Sequence, residues 1–317
     1  MQYLSDKQIV DLLDGEESTV IEYMERVFED YRSKKATMIP KIYLTNDKGD
    51  YRAMPAQWME YSGVKWISVY PENWRLNIPT IHGTLLLSDT HTGQPLMCMD
   101  CAELTAHRTA AVSALAGKHL TIPGIVRTLT IIGCGYQAKL HLKMYKEVFP
   151  NINAVRLYDK DVQNAIKFKE WVTSQIECDC SVHDSVKSAC SQSDVITTLT
   201  PSTEGYLGLD EIEHPFHINA IGADAVGKRE LKDDLWGTVH LVVDDYEQAF
   251  HSGEAQYCNS RLPYLTLPDI ITGNAVNLRD KTTVFDSTGL AIEDIAIGTL
   301  IHDKYYQRNR ETVSGNV

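Results

Sequence analysis

A short glycine-rich stretch has the residue types and spacing of a turn that binds the pyrophosphate of a dinucleotide. Gly133-Cys134-Gly135 follows an apolar run, and Ala138 completes the pattern G-x-G-x-x-A. The first glycine allows a sharp turn, the second lets the backbone approach the pyrophosphate, and the alanine keeps helix and strand close together. The free N–H groups at the start of the following helix would face the phosphates. The predicted cofactor contacts in this stretch are Gly133, Gly135, Tyr136, Gln137 and Ala138.

A carboxylate at the end of the next predicted strand, AVRLYD, bears on the choice of dinucleotide. Asp159 lies 24 residues after Gly135, where a carboxylate accepts hydrogen bonds from ribose hydroxyls and repels a 2′-phosphate. The next residue, Lys160, could attract a 2′-phosphate and weaken that preference. A glycine turn alone would also suit another α/β sheet, but the flanking strand, the helix and the spaced acid together predict NAD as the cofactor.

Four basic residues are candidates for binding an anionic group of a ligand. Lys41, Arg52 and Lys65 lie in predicted strands, and Arg108 lies at the start of an alanine-rich helix. Charge-assisted contacts both attract and orient an anion. A solvated surface charge is the ordinary alternative for any one of them. The apolar neighbours of Lys65 and the alanines around Arg108 favour partly buried, directed cations.

Polar residues follow the strands of the second half of the chain. Asp224 comes after a predicted strand and is the candidate for proton transfer, although an aspartate that caps a turn is the alternative. Lys228 would contact the cofactor or Asp224. Ends of parallel strands meet at the edge of the sheet where ligands bind. The further cofactor contacts predicted there are Thr198, Thr200, Gly222, Ser287, Thr288 and Gly289, and an ordinary N-cap is the alternative for Ser287 or Thr288.

The elements that must position these residues change in character at Pro123-Gly124. Before it, two helices, a series of short strands with a hairpin turn at residues 47–49, and a helix over residues 103–120 predict an α+β domain with a mostly antiparallel sheet. After it, strands and helices alternate, which is typical of a Rossmann-type doubly wound parallel sheet. A final helix is predicted from Leu290 to about Tyr306.

Composition narrows the class of protein. The 317 residues, 43% hydrophobic and 23% charged, suit two globular domains. A formal net charge of −13 argues against nucleic acid as a partner. We expect a cytoplasmic protein, since no signal-like or membrane-spanning run occurs. Seven scattered cysteines and the absence of an H-E-x-x-H pattern predict reduced thiols and no metal.

The residues also resemble a known family along nearly the whole chain. In order, the matching blocks are MIPKIYL, KGDYRAMPA, GVKW, AELTAHRTAAVSALAGKHL, IIGCGYQA, NAIGADAVGKREL and FDSTGLAIED. They are similar to the ornithine cyclodeaminase/mu-crystallin family, and most similar to its archaeal-type alanine dehydrogenase branch. The resemblance implies a substrate-binding and dimerisation domain of residues 1–120 with 290–317, and an NAD-binding domain of residues 121–289. It further implies a homodimer joined through the N-terminal sheets.

The resemblance also implies roles for single residues. Arg108 matches the family's substrate-carboxylate arginine, Lys65 a lysine of the same site with a part in catalysis, and Asp224 the catalytic aspartate. Thr109, next to Arg108, is expected to contact the cofactor. Lys41 replaces an arginine of the cyclodeaminases, so their carboxylate clamp does not transfer directly.

Arg52 bears on the substrate. The cyclodeaminases resembled here carry a carboxylate just before the x-M-P block, which suits a distal ammonium, whereas this chain has Arg52. Two like charges 4 Å apart repel by about 4 kcal/mol at an effective dielectric of 20. We therefore expect an NAD-dependent dehydrogenase that interconverts a small L-amino acid, alanine foremost, and its 2-oxo acid plus ammonia. The alternatives are a cyclodeaminase with retained NAD, a ketimine reductase or opine-type dehydrogenase, and a crystallin-like binding protein.

Overall fold

The chain divides into two compact units. The structure, a computed structural model, describes residues 1–213, 217–258 and 263–314, and only the backbone of residues 311–314. One unit comprises Met1–Thr109 with Leu290–Val317, and the other comprises Ala110–Gly289. The first division falls inside a helix, earlier than the predicted domain boundary after residue 120. The functional labels given to the two domains stay predictions.

The first part of the chain alternates helices and short strands, as predicted. Its elements are β1 (Gln2–Leu4), α1 (Asp6–Leu13), α2 (Glu17–Arg32), β2 (Ala36–Met38), β3 (Ile42–Asn46), β4 (Gly49–Trp58), β5 (Tyr61–Val69), β6 (Ile81–Asp89), β7 (Pro95–Asp100) and α3 (Ala102–Leu120). The strands form one sheet in the order β1-β7-β6-β5-β4-β2, with β3 also paired to β4. Every pairing is antiparallel except that of β1 with β7. The α+β prediction for this part is confirmed.

Local sequence signals account for several of these boundaries. Ser5 caps α1, and Gln8 completes the capping box by accepting a hydrogen bond from the Ser5 N–H at 3.0 Å. In the hairpin between β3 and β4, the Asn46 side chain accepts the N–H groups of Lys48 and Gly49 at 2.9 and 3.2 Å. Such side chain-to-backbone bonds stabilise a turn at a fixed place in the chain. They therefore set the register of the long strand β4.

The second unit is built on a parallel sheet. Its elements are β8 (Thr128–Ile132), α4 (Tyr136–Val148), β9 (Ala154–Tyr158), α5 (Val162–Gln175), β10 (Asp179–Val182), α6 (Val186–Cys190), β11 (Val195–Thr198), β12 (Thr203–Leu207), β13 (His217–Ala220), β14 (Arg229–Leu231), β15 (His240–Val243), α7 (Tyr246–Ser252), β16 (Tyr264–Thr266), α8 (Leu267–Ile271) and β17 (Thr283–Asp286). The main sheet has the order β10-β9-β8-β11-β13-β17-β15-β16, and β12 pairs with β14 apart from it.

The order of these strands confirms the doubly wound prediction. Outward from β8, the chain first adds β9 and β10 on one side and then β11 and β13 on the other, all in parallel. This is the 3-2-1-4-5 arrangement of the Rossmann fold. The direction of winding reverses between β8 and β11. Ligands bind such sheets at that reversal, beyond the carboxyl ends of the strands.

The last helix, α9 (Ala291–Ser314), packs in the first unit against α2 and the strands β4, β5 and β6. Residues 290–301 are buried on every side of the helix, as expected for a helix inside a core. The predicted end near Tyr306 was wrong, because the polar residues beyond it lack the apolar periodicity on which the prediction relied. The return of this helix to the N-terminal elements agrees with the family resemblance.

Two further features concern the helices and the cysteines. Among the helices that the structure describes, none combines the length and the apolar character needed to cross a membrane. All seven cysteines are free, four of them buried and three half-buried.

Candidate functional site

The buried face of the first sheet carries two of the predicted substrate-binding cations. Met54 on β4 lies opposite Lys65 on β5, and Arg52 lies opposite Ile67. Residues directly opposite each other, and residues two apart on one strand, share a face of the sheet. Lys65 and Arg52 are therefore diagonal neighbours on the same face, and both are buried, at 1% and 4% exposure.

The Lys65 ammonium is held by a carboxylate of the last helix. Its Nζ donates to Asp294 Oδ1 at 2.7 Å and contacts Thr105 Oγ1 on α3 at 3.5 Å. Burial lowers the pKa of Lys65, and the Asp294 charge opposes that effect. Asp294 therefore stabilises a protonated lysine in the interior of the unit.

Arg108 reaches the same carboxylate from α3. Its Nη1 donates to Glu293 Oε2 at 2.7 Å, and its Nε lies 3.2 Å from Asp294 Oδ1. Both carboxylates are fully buried. We call Lys65, Arg108, Glu293 and Asp294 the four-charge cluster. The structure thus brings together two of the predicted cations around acids that the sequence reasoning had not selected.

Arg52 has an acid of its own. Its Nε donates to Asp50 Oδ1 at 2.6 Å, and its guanidinium lies 5.5 Å from the centre of the Tyr43 ring. Lys41 is half-buried and lies just before β3. Because Asp50 offsets the charge of Arg52, the predicted repulsion of a cationic substrate group is weaker than the sequence suggested.

A crevice of about 980 Å³ opens at the winding reversal of the second sheet. Its volume is near the upper end of the range of small-molecule sites. It is lined by Ile132, Gly133, Gly135, Tyr158, Asp159, Lys160, Asp161, Asn164, Val186, Leu199, Thr200, Pro201, Ser202, Thr203, Glu204, Gly205 and Tyr206. Five of the predicted cofactor contacts are therefore brought together here: Gly133, Gly135, Asp159, Lys160 and Thr200.

The glycine turn has the geometry that an incoming pyrophosphate needs. Gly133 has φ +94°, and a Cβ there would lie 2.8 Å from the carbonyl oxygen of Leu199, so a side chain is excluded on both grounds. Gly135 has open space where a Cβ would be and directly precedes α4, which begins at Tyr136. The unbonded N–H groups of the first turn of a helix attract phosphate.

Asp159 both lines the crevice and ties down the glycine turn. Its Oδ2 accepts the N–H of Cys134 at 2.7 Å, and its Oδ1 accepts the N–H of Asp161 at 2.9 Å. A carboxylate oxygen has more than one acceptor site. These bonds therefore orient the carboxylate without preventing it from accepting a ribose hydroxyl.

Other predicted cofactor contacts lie outside the lining of the crevice. Tyr136 is exposed, Ala138 is buried, and the Gln137 Oε1 is buried with no hydrogen-bond partner in the described part of the chain. The Thr109 hydroxyl donates to the Thr105 carbonyl oxygen at 2.7 Å. Their contacts with a cofactor stay predictions.

Asp224 forms an ion pair with Lys228. The Lys228 Nζ donates to Asp224 Oδ1 at 2.5 Å, and the two side chains are 28% and 36% exposed, respectively. Both residues lie in the turn that follows β13. An accessible carboxylate beside an ammonium suits the movement of a proton to or from a ligand.

Glu230, which the sequence reasoning missed, organises the edge of the sheet. This buried carboxylate of β14 accepts the N–H and hydroxyl of Thr200 at 2.7 and 2.6 Å and the N–H of Gly222 at 2.8 Å. It also accepts the hydroxyls of Thr198 and Tyr206 at 2.5 and 2.9 Å. Glu230 thus joins the loops after β11 and β13 and one wall of the crevice.

A second group of buried carboxylates holds the turn after β17. Asp244 accepts the N–H groups of Thr288 and Gly289 at 2.5 and 2.9 Å, together with the Thr288 hydroxyl. Asp286 accepts the Ala255 N–H at 2.8 Å. Burial is the main cause that raises the pKa of Asp244 and of Asp286 to about 7.

Two of the predicted cofactor contacts are therefore already bonded or buried within the protein. The Thr288 hydroxyl is used by Asp244, and Ser287 is 2% exposed. A third acid, Glu254, has its pKa raised to about 9, again chiefly by burial. These residues fix the turn between the second sheet and α9.

The missed acids left a signal in the sequence that was not used. Glu293 and Asp294 interrupt an otherwise apolar helix, and Glu230 follows two basic residues at the start of a short strand. Buried acids are rare unless they are paired. An acid inside an apolar run is therefore expected to pair with a buried cation or with a set of hydrogen-bond donors.

Comparison with known proteins identifies the family. Residues 8–309 match the profile of the ornithine cyclodeaminase/mu-crystallin family. The chain belongs to that family. Over 316 residues it is 35% identical to an alanine dehydrogenase of Archaeoglobus fulgidus, covering 96% of this chain and 95% of that protein. The predicted family is confirmed.

Two further members of the ornithine cyclodeaminase/mu-crystallin family bear on function. Over 242 residues the chain is 35% identical to the ketimine reductase mu-crystallin of Rattus norvegicus, covering 76% of this chain and 75% of that one. A solved archaeal alanine dehydrogenase, a dimer with bound NAD, is 34% identical, with a TM-score of 0.92 over 98% of this chain and 97% of its own. The predicted fold class and the prediction of an enzyme of this family are confirmed, and the predicted cofactor agrees with that structure.

Replacing Glu230 with glutamine tests its role at the edge of the sheet. In Glu230→Gln, an amide NH₂ faces N–H and hydroxyl donors, and each donor left unsatisfied costs about 1–3 kcal/mol. We expect the affinity for NAD to fall roughly tenfold to a hundredfold, as measured by fluorescence titration. Glu247→Gln, an exposed change on α7, is the matched control. Unchanged NAD affinity in Glu230→Gln would contradict this role.

The buried acids predict a dependence of stability on pH. Because the pKa values of Asp244 and Asp286 are raised from 3.8 to about 7, the folded state holds protons that the unfolded chain has already lost. The stability that this provides is present at acidic pH and is lost as the pH rises through about 7. Urea unfolding at about pH 5 and about pH 8 should show the decrease, and Asp286→Asn should make it smaller. The buried His141 and His217, whose pKa values burial lowers to about 4, act in the opposite direction, so the comparison with Asp286→Asn is decisive. An equal change in the free energy of unfolding in both proteins would argue against a protonated Asp286.

Proposed function

We propose that this chain is an NAD-dependent oxidoreductase that interconverts a small L-amino acid, alanine foremost, and its 2-oxo acid plus ammonia. The observation that carries the proposal is the convergence of Lys65 and Arg108 in the four-charge cluster. The similarity to alanine dehydrogenases over nearly the whole chain supports alanine as the substrate.

The four-charge cluster supplies an anchor for the substrate carboxylate. Two cations on different elements, β5 and α3, are oriented by acids on a third, α9. Orientation matters because Cα must be presented to the cofactor within a narrow range of positions. Arg52, on the same face of the sheet as Lys65, and Lys41 would contribute to the recognition of the rest of the substrate.

The second unit binds NAD. A dinucleotide fits the crevice, with its pyrophosphate at the glycine turn and the start of α4. Asp159 would accept hydrogen bonds from the ribose hydroxyls of NAD. The segments after the strands, at Thr200, Gly222 and Ser287-Thr288, are held by Glu230 and Asp244 and would line the nicotinamide end. Bound NAD⁺ supplies the chemistry of accepting the hydride from the substrate Cα.

Asp224 moves the proton in this scheme. As Cα loses its hydride, the substrate ammonium loses one proton, and an iminium (a protonated imine) forms. The Asp224 carboxylate, held in place by Lys228, would accept that proton. Water then hydrolyses the iminium to the 2-oxo acid and ammonium. Lys65 would stabilise the substrate carboxylate throughout the reaction.

A second candidate is reduction of a cyclic ketimine. The identity to the ketimine reductase mu-crystallin favours it, and so does the Asp50–Arg52 pair, which lowers the net charge that a larger substrate would meet. A cyclic ketimine carboxylate offers the same carboxylate and C=N groups. It would therefore use the same anchor and the same acid.

The protein acts as a homodimer in this proposal. The face of the first sheet opposite the cluster carries exposed apolar side chains, among them Ile42 at 54%, Leu44 at 64% and Trp66 at 45%. Contiguous apolar surface of this kind is typical of a contact between subunits. The dimeric state of the solved archaeal alanine dehydrogenase agrees with it.

The substrate is tested by assaying alanine and ornithine side by side on the unmodified protein. We expect NADH to accumulate with L-alanine, and pyruvate with ammonia to consume it, because the anchor suits a short neutral amino acid. Proline formation from ornithine without net NADH, at a higher rate than alanine oxidation, would replace the proposal by a cyclodeaminase. Turnover of a cyclic ketimine or a dicarboxylic imine alone would assign the second candidate or an opine-type reaction.

The role of Asp224 is tested by Asp224→Asn. Asparagine keeps the size of the side chain but cannot accept the proton, so kcat should fall by about 10²–10⁴-fold. NAD affinity should change little, since the group acts mainly as the barrier is crossed. Asp303→Asn, a change of the same type on α9, provides the comparison. Normal turnover in Asp224→Asn would assign the proton to another residue.

A further inference from the structure

Asp50 and Arg52 share a face of the first sheet with Lys65. Asp50 and Arg52 are two positions apart on β4, and Met54, two positions further on, lies opposite Lys65 on β5. Because alternate residues of a strand point to the same side, all four side chains lie on one face of the sheet. The Arg52 side chain is 5% exposed and the Asp50 side chain 21%, so the acid is the more accessible of the two.

Asp50 both orients and neutralises Arg52. The Arg52 Nε donates to Asp50 Oδ1 at 2.6 Å, and the Arg52 Nη2 donates to Asp50 Oδ2 at 3.4 Å. Two such parallel contacts give a guanidinium a fixed direction. The ring of Tyr43, the residue opposite Arg52 on β3, lies 5.5 Å from the guanidinium. Since arginine keeps its charge in proteins, the ionised Asp50 makes this pair neutral.

The charges that the proposed function assigns to the substrate and its surroundings sum to a single positive charge. The four-charge cluster, the Asp50–Arg52 pair and the Asp224–Lys228 pair are each neutral, and Lys41 adds the positive charge. One substrate carboxylate therefore balances the total. A second carboxylate would leave a negative charge uncompensated, which is costly where water is excluded. Beside Arg52 it would also meet the like charge of Asp50.

We propose that Asp50 restricts the substrate to amino acids and 2-oxo acids with a single carboxylate. Arg52 alone would attract a second carboxylate on the side chain of the substrate. Asp50 acts through Arg52, because it offsets the charge of the guanidinium and repels that second carboxylate. The inference rests on the proposed function, in which Lys65 and Arg108 hold the carboxylate next to Cα and Arg52 contacts the remainder. It adds that L-aspartate and other dicarboxylic substrates are excluded by their charge and not by their size.

The test compares L-aspartate with L-asparagine, which have the same size and differ in the charge of the side chain. With the protein saturated with NAD, the oxidation of each is followed by the formation of NADH. An amino acid that is not oxidised is measured instead as a competitive inhibitor of L-alanine oxidation. We expect the unmodified protein to favour L-asparagine over L-aspartate by roughly tenfold or more, since the second carboxylate meets Asp50.

Asp50→Asn separates this inference from a merely structural role. Asparagine keeps an oxygen that accepts the Arg52 Nε hydrogen but carries no charge, so the preference for L-aspartate relative to L-asparagine should rise roughly tenfold to a hundredfold. Adding Arg52→Gln to this variant should remove the gain. Asp47→Asn, an exposed change in the same hairpin, is the matched control and should leave the preference unchanged. An aspartate that only supported the fold would affect both amino acids alike.

The outcomes are distinct. If the unmodified protein oxidises L-alanine, an unchanged preference in Asp50→Asn, or no binding of L-aspartate by that variant, would overturn the inference and leave the proposed function intact. An unmodified protein that uses L-aspartate better than L-asparagine would overturn the inference as well, and this measurement decides alone if Asp50→Asn does not fold. Failure of the unmodified protein to oxidise L-alanine and to reduce pyruvate with ammonia would overturn the proposed function, and the inference with it.

Discussion

A lysine ammonium is stable inside a protein only beside a compensating charge, and the Lys65–Asp294 pair meets this constraint in the first unit. The pair joins β5 to α9, and Arg108 adds α3 through the same carboxylate. Loss of one partner from a buried pair leaves the other charge uncompensated, at a cost of about 3–5 kcal/mol, whereas an exposed pair contributes about 0–1 kcal/mol. The ion pair therefore fixes how the last helix packs on the sheet and holds the side chains of Lys65 and Arg108 in place.

Buried charge must also be compensated around Glu230 in the second unit, where hydrogen-bond donors take the place of cations. The Glu230 carboxylate is surrounded by hydroxyl and backbone N–H donors. The backbone N–H of Glu230 in turn donates a hydrogen bond to the Glu254 carboxylate at 2.5 Å. Asp244 and Asp286 continue this acidic group towards the turn before α9, and their raised pKa values follow from burial. Because these carboxylates bind the loops after neighbouring strands, they hold the edge of the sheet at the crevice in one conformation.

The distribution of charges also explains how one family serves several substrates. A carboxylate next to a carbon–nitrogen bond is common to alanine, to ornithine and to cyclic ketimines, and in the proposed function the four-charge cluster would bind that shared part. Residues such as Arg52, whose charge is offset by Asp50, would then recognise the remainder of the substrate. A change at such a position alters the substrate without disturbing the anchor or the nucleotide-binding sheet.

The sequence by itself determined the fold class, the glycine turn and the identity of the basic residues, because periodicity, turn chemistry and spacing are local properties. It did not reveal the short strands β1 and β2, which are too short for a periodic pattern, or the full length of α9. The sequence also did not predict which acids pair with the cations, since Lys65 and Asp294 are separated by 229 positions. Only tertiary structure decides which distant charges meet and are desolvated together. Burial and pairing, rather than residue type, therefore place two of the predicted cations, Lys65 and Arg108, in a neutral cluster with Glu293 and Asp294.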